Sequence, residues 1–419
     1  MARGKFLKSL QAASMIRQVI GTLGVRGLLI AAGFISSVVT ARLLGPEGRG
    51  VFFYWATVAS LIVQFGNFGL QSSNTYFLAK GRARLVNLST NALLVSIFGG
   101  LTLGCSVFVV RYLISGQTVD GWEYAVATVA LACSGLYFMF GSNLLIALGR
   151  ISAYNKFELA NRYLVLVAIV AVAWVLPSAP ILLLTSAAIS MLVCLPLYYY
   201  LRRLDPGWSP SLSLIGQGIG YAARAYIITA LGFMVLRLNT FLLQYFIDDS
   251  SLGVWSIAAQ LIDVINVIPS TVALILLPKI MRDRDPYTLM RRSLWFVGGI
   301  LLGVCILMII LGHYFIVQAY GERFAEAYTI LLWGLPGVFC LGLISIYSQY
   351  LASAGMPLAQ AWVWGSGLVI EMLLSFWLIP IKGLSGGMIS MSCAYLCVLL
   401  LIAFVARLVY FNHPQDSRV

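Results

Sequence analysis

Apolar residues fill this chain in long blocks, and short clusters of glycine, proline and charge separate them. Each block holds about 20 residues or more, enough for a helix to cross roughly 30 Å of hydrocarbon. The pattern predicts about twelve helical spans. They fall at Ile16–Thr40, Val51–Ala79, Asn87–Leu113, Trp122–Leu148, Phe157–Leu176 and Pro180–Leu201 in the first half. In the second half they fall at Ile215–Ile247, Leu252–Ile280, Leu289–His313, Ala325–Leu351, Gln360–Ile379 and Leu384–Val409. Turn residues mark the connections: Gly45-Pro46, Gly149, Asp205-Pro206-Gly207, Asp285-Pro286 and Gly355-Met356-Pro357. These connections leave no room for a soluble domain.

Composition agrees with the pattern. The 419 residues are 61% hydrophobic and 10% charged, too little charge for a soluble surface of this size. Met1 to Leu10 is basic but leads into a full-length span, so no removable signal peptide is expected. The seven cysteines lie inside apolar runs without a metal-type CxxC pair and read as small buried hydrophobes. His313 and His413 are far apart, which argues against a histidine metal or catalytic site. No GxxxxGK[ST] loop cradles a phosphate, so any work done must draw on a gradient or a partner.

Charge distribution gives an orientation, because basic loops stay in the cytoplasm. Arg3, Lys5 and Lys8 precede the first span. Alternate loops then carry Lys80, Arg82 and Arg84; Arg150 and Lys156; Arg202 and Arg203; and Lys279, Arg282, Arg284, Arg291 and Arg292. The intervening loops carry Asp120 and Glu123, then Asp248 and Asp249, then Glu322 with Arg323. Both termini are therefore expected in the cytoplasm. The net charge of +13 is mostly this asymmetry, spread over many short loops, and nucleic acid is not an expected partner.

The chain also reads as a duplication with a shift of about 200 residues. Gly50-Val51-Phe52 falls on Gly253-Val254-Trp255, Gly100 and Gly104 on Gly299 and Gly303, and Leu148-Gly149-Arg150 near Ala354-Gly355-Met356. The halves 1–204 and 205–419 each hold six spans. An even number makes both copies enter the membrane in the same sense, with a site expected at their interface.

Polar groups inside the spans point to that site. Thr57, Ser60, Gln64, Asn67, Gln71 and Asn74 recur every three or four residues, on one face of a continuous helix. Lipid cannot satisfy them, so the face looks at protein or water. It is either a hydrogen-bonded helix interface or the wall of a wet cavity, and a row of long amides favours the wall. Ser256, Gln260, Asp263, Asn266 and Ser270 repeat the pattern in the eighth span. Arg26 lies midway along the first span and Arg224 and Arg237 in the seventh, while Arg49 opens the second. Together they suggest a cationic lumen suited to an anionic, phosphate-bearing substrate, although Arg224 can snorkel and Arg49 can be an outer-surface residue. Asp263 and Glu371 either pair with an intramembrane arginine or couple transport to H+ or Na+.

The stretch Ala41-Arg42-Leu43-Leu44-Gly45-Pro46-Glu47-Gly48-Arg49-Gly50 resembles the first-loop signature of Wzx-type O-antigen flippases, polysaccharide transporters of the MOP exporter superfamily. Phe65-Gly66-Asn67-Phe68-Gly69-Leu70 with Ser73-Asn74 is similar to their second span. Arg237-Leu238-Asn239, Gly253-Val254-Trp255 and Pro278-Lys279-Ile280 resemble their seventh and eighth. At Asn239 the family often has an acid. The resemblance implies an all-α polytopic fold of two six-helix bundles around a central cavity, working by alternating access in a bacterial inner membrane. It implies that a polyprenyl-pyrophosphate-linked oligosaccharide is the cargo, the arginines meeting its pyrophosphate. Membrane lipids, a polysaccharide polymerase and a chain-length regulator are the other partners it suggests. A multidrug/ion antiporter or a lipid II-type flippase shares the fold. The first would want acidic pockets where this chain is mostly basic, and the second usually has two more spans. A membrane-embedded glycan polymerase or ligase would want a long outer loop, and the outer connections here are only about a dozen residues at most.

Overall fold

A computed structural model describes residues 2–115, 121–281, 283, 285–355 and 357–412, with side chains described from residue 24 onward except at 111, 114, 115, 274, 357, 411 and 412. Asp120, Arg282, Arg284, Met356 and His413 lie outside the described residues. Within them the architecture is all-helical: α1 (Ala2–Gly66), α2 (Leu70–Ala79), α3 (Leu85–Ser115), α4 (Trp122–Ala147), α5 (Ile151–Val175), α6 (Ala179–Leu204), α7 (Leu212–Phe246), α8 (Asp249–Ile280), α9 (Pro286–Tyr320), a short 3-10 turn (Glu322–Phe324), α10 (Ala327–Ser353) and α11 (Pro357–Asn412).

Ten of these helices are long and apolar enough to cross a membrane. Two are interrupted by a glycine in a conformation that L-residues avoid: Gly45 in α1 (φ 68°, ψ −177°) and Gly383 in α11 (φ 56°, ψ −133°). Splitting both there brings the described helices to about the number of spans that the apolar blocks predict. Their lipid-facing sides remain apolar. Leu302, Ile306, Leu307, Ile309, Ile310 and Leu311 of α9 are all exposed, as are Trp122 and Trp174 near helix ends, where aromatic rings suit a membrane interface. The protein is a multi-pass membrane protein.

Helix starts follow local chemistry. Asp248 caps α8 by accepting from the Ser250 and Ser251 amides, and Asp285 caps α9 by accepting from Thr288 N–H, with Pro286 at the first helical position. Both carboxyls are held below the usual Asp range, chiefly by the side-chain hydroxyls of Ser251 and Thr288 and then by those amides.

The chain folds into two compact units. One comprises residues up to 43 with 58–222, and the other 44–57 with 223 onward. In the first unit α4 is the central helix, with Leu136, Phe140, Leu144 and Leu145 wholly or almost wholly buried among α2, α3 and α6. In the second, α10 holds the matching place among α8, α9 and α11, with Ile330, Leu331, Val338 and Ile344 in its core. Each central helix ends on a left-handed glycine, Gly149 (φ 70°) after α4 and Gly355 (φ 72°) after α10. The duplicated turn is thus a duplicated conformation. The GxxxG pairs are not equivalent. A methyl group on Gly100 or Gly104 would strike Cys133 or Val129 of α4, whereas one on Gly299 or Gly303 would meet nothing within 4 Å.

The second span departs from expectation. Its polar stripe does not run along one helix, because the chain breaks between α1 and α2 at Phe68 (φ 48°) and Gly69 (φ 77°). Asn67 sits at that break, and its Oδ1 accepts from the Gln71 N–H at 3.1 Å. This asparagine starts α2 as well as facing the interior.

Candidate functional site

Two polar constellations lie inside the second unit. The first joins α7 to α8. Arg237 Nη2 donates to Asp263 Oδ2 at 2.8 Å, and the side chains remain 23% and 43% exposed. An ion pair that is mid-helix yet partly open cannot face hydrocarbon, so it borders a cleft. Asn239, Trp255, Met391 and Tyr395 line this cleft with the pair.

The second constellation joins α7 to both arms of α11 and is closed. Asn239 Nδ2 donates to Glu371 Oε1 at 2.5 Å, Ser375 Oγ donates to Asn239 Oδ1 at 2.9 Å, and Ser375 and Ser390 share a 2.7 Å hydrogen bond. All four residues are buried, Glu371 completely. Glu371 Oε2 is buried with no hydrogen-bond partner among the described residues. Leaving a carboxylate oxygen so placed is costly, and protonation or a cation relieves that cost.

A third contact belongs to the same unit. Arg49 is 4% exposed, so it is buried rather than on an outer surface. Its Nε donates to Ser256 Oγ at 3.1 Å and its Nη2 to Gln260 Oε1 at 2.9 Å. The α8 stripe is therefore occupied from Ser256 to Asp263, while Ser270 at its far end is exposed. Ser256 and Gln260 hold Arg49, Asp263 holds Arg237, and Asn266 is half-buried with its Oδ1 unpartnered in the interior. Arg224, also in this unit, is exposed.

The remaining candidates lie in the first unit. Arg26 is half-buried, within electrostatic range of Tyr154 of α5. Asn67 and Asn74 are buried, Gln71 is half-buried, and Gln64 is half-buried with a buried, unpartnered Nε2. Sequence reasoning singled out both acids and the arginines but missed Ser375 and Ser390. Hydroxyls within apolar runs carry no signal until two arms of α11 bring them together. Asn239 was legible only as a departure from a family pattern.

Many apolar spans, with charges and amides retained inside them, define a polytopic membrane protein with a polar interior. Solved structures share the fold. An inward-facing multidrug resistance MATE family transporter of the MOP superfamily superposes with a TM-score of 0.73 at 12% identity, covering 91% of this chain and 94% of that one. The lipid II flippase MurJ in an inward closed conformation gives 0.70 at 15% identity, covering 94% and 87%. A MOP superfamily transporter from Pyrococcus furiosus, described as having a binding pocket of reverse polarity, gives 0.68 at 13% identity, covering 96% of each chain. No curated protein matches the sequence. Residues 16–283 match the model of the polysaccharide biosynthesis protein family, and the chain belongs to that family.

Proposed function

We propose that this protein turns a polyprenyl-pyrophosphate-linked oligosaccharide, an O-antigen or exopolysaccharide repeat unit, from the inner to the outer leaflet of a bacterial inner membrane. The two sequence halves, 1–204 and 205–419, would act as six-helix bundles around a central cavity. They would open alternately to the two sides, with both termini cytoplasmic. The family supports the substrate class. The observation that carries the reading is the partly open Arg237–Asp263 pair beside a cleft. A guanidinium there stays charged at any physiological pH and offers a planar fork to a phosphate. Arg26 and the exposed Arg224 would add positive charge along the path, and Gln64, Asn67, Gln71 and Asn74 would offer amides to sugar hydroxyls. Polymerase and chain-length regulator would take over the product beyond the membrane.

In this reading the two acids divide the work. Asp263 holds Arg237 in place. Glu371, sealed among Asn239, Ser375 and Ser390 with one oxygen unsatisfied, carries the coupling proton or Na+. A cation-coupled multidrug antiporter on the same fold draws on the same Glu371. One experiment separates them. Mass spectrometry of lipid-linked sugars in a strain depleted of the protein should show an accumulating polyprenyl-pyrophosphate glycan. An unchanged glycolipid profile, with loss of drug export, would overturn the flippase reading in favour of the antiporter.

A further inference from the structure

Gly50 and Gly253, matched by the internal duplication, meet each other. A Cβ added to Gly50 would lie 1.8 Å from the Asp249 carbonyl oxygen and 2.9 Å from Gly253 N. One added to Gly253 would lie 1.9 Å from the Pro46 carbonyl oxygen and 3.1 Å from Gly50 N. The contact is reciprocal. The glycine in the first turn of one helix abuts the first residue of the other, so two helix starts cross backbone on backbone. Only glycine permits this approach at either place, since each clash is with main chain that cannot swing aside.

Three further features gather at the crossing. Arg49, next to Gly50, reaches past it to Ser256 and Gln260, about one and two turns beyond Gly253 in α8. These are neutral acceptors, which water or an anion replaces without stranding an opposite charge. Gly45, with its positive φ, breaks α1 immediately before Pro46, so the segment that follows has a joint at its start. Residues 44–57 pack as part of the second unit, although the same helix continues from Val58 as part of the first. One end of a first-half span is thus fastened to the second half's helix.

We propose that Pro46–Gly50 and Asp249–Gly253 form the outer gate of the transporter, closed by the paired glycines and latched by Arg49. The proposal rests on the alternating-access reading above, whose orientation puts both helix starts on the outer side. Closing needs the glycines, because any side chain at either position props the crossing apart. Opening breaks the Arg49 hydrogen bonds to Ser256 and Gln260 and swings residues 46–57 away from α8. That movement frees the guanidinium for an anionic group leaving towards the outer face. The Gln260 amide and the Ser256 hydroxyl that accept from Arg49 in the closed state would then be exchanged for phosphate oxygens in the open one.

The test is accessibility in intact cells. A cysteine replacing Asn266 lies 13 residues inward of Gly253, roughly 20 Å along α8 at 1.5 Å per residue. Reaction of Asn266→Cys with a membrane-impermeant maleimide from outside, above the background of the seven native cysteines, reads whether the gate is open. Labelling should be slow in the parent and rise about tenfold or more with Gly50→Val or Gly253→Val. It should rise several-fold with Arg49→Gln, which leaves both glycines and guards against a folding artefact of the valine variants. Equal membrane abundance of each variant is checked by immunoblot. Labelling that is already fast in the parent, or unmoved in Arg49→Gln and in every glycine variant present at parental abundance, overturns the gate. If labelling rises as expected while lipid-linked glycan never accumulates in any variant, the gate stands and the flippase reading fails.

Discussion

Asp263 and Glu371 look alike in the sequence, each an acid inside an apolar run. Their neighbours separate them. Asp263 is neutralised by Arg237 at 2.8 Å, so removing either partner leaves a half-buried charge without its counterpart. Breaking a fully buried pair costs about 3–5 kcal/mol, and partial exposure here reduces that to about 1–2 kcal/mol. We expect Arg237→Ala and Asp263→Asn each to lower thermal stability in detergent. The double variant should lose less than the sum of the singles, and strict additivity would show that the pair is not coupled. Transport should fall in Arg237→Ala even where Asp263→Asn restores the stability, because the phosphate fork is gone. Glu371→Gln should behave differently. It keeps the hydrogen bond from Asn239 in a re-oriented form and mimics a neutral acid, so abundance should hold while transport loses its response to the proton or Na+ gradient. A response identical to that of the parent would take Glu371 out of the coupling. The sequence shows the two acids and their depth in the spans. It does not show that Asn239, Ser375 and Ser390 close around one of them, since those positions are far apart in the chain and each hydroxyl alone satisfies a nearby carbonyl as readily.

Among the elements, the second span shows where periodicity stops being informative. Polar residues at three- and four-residue spacing extend from Thr57 to Asn74 without interruption, but the helix does not. Phe68-Gly69 turns the backbone through the left-handed region, and Asn67 supplies the acceptor for the restart. Spacing predicts a shared face only while the helix is continuous, and a glycine inside an apolar run is compatible with either outcome. Asn67→Ala should cost about 1 kcal/mol through loss of the hydrogen bond from the Gln71 amide. It should speed amide exchange at Gln71 while leaving α4 unaffected, and equal exchange in both proteins would contradict that role. The connection before α7 is tied down in a different way. Asp205 accepts from Val86 N–H at 2.9 Å and from Arg84 at 3.0 Å, and Asn87 and Asn91 bind Ser209 and Ser211. The Val86 hydrogen bond above all, with Arg84 beside it, holds the Asp205 carboxyl below the usual Asp range. A depressed folded pKa contributes stability above the ordinary value of about 3.9 and loses it as pH falls through the folded value. Protection of the Val86 amide should therefore be full at neutral pH and fade only at acid pH. In Asp205→Asn it should already be reduced at pH 7.

At the scale of the whole molecule, the duplication is the most legible feature and the arrangement of the units the least. Turns at Gly149 and Gly355 repeat in conformation as well as in sequence, and α4 and α10 repeat as central helices. No pattern announces that residues 44–57 pack with the second unit, because packing partners depend on shape complementarity between segments far apart in sequence. The orientation, by contrast, rests on charge alone. Lysine and arginine gather at one set of helix ends and Asp248, Asp249 and Glu322 at the other. Charged groups cross hydrocarbon only at a cost of a few kcal/mol each, so loops rich in Lys and Arg stay on the side where they are made. Single cysteines at Arg82 and at Ser251 test this directly, since Arg82 is exposed in the connection after α2 and Ser251 is half-buried in the first turn of α8. An impermeant thiol reagent applied to intact cells should label Ser251→Cys and leave Arg82→Cys untouched until the membrane is opened. Labelling of Arg82→Cys from outside would invert the topology. With it the crossing of Gly50 and Gly253 would move to the cytoplasmic face, where a closed gate would block entry of the cargo instead of its release.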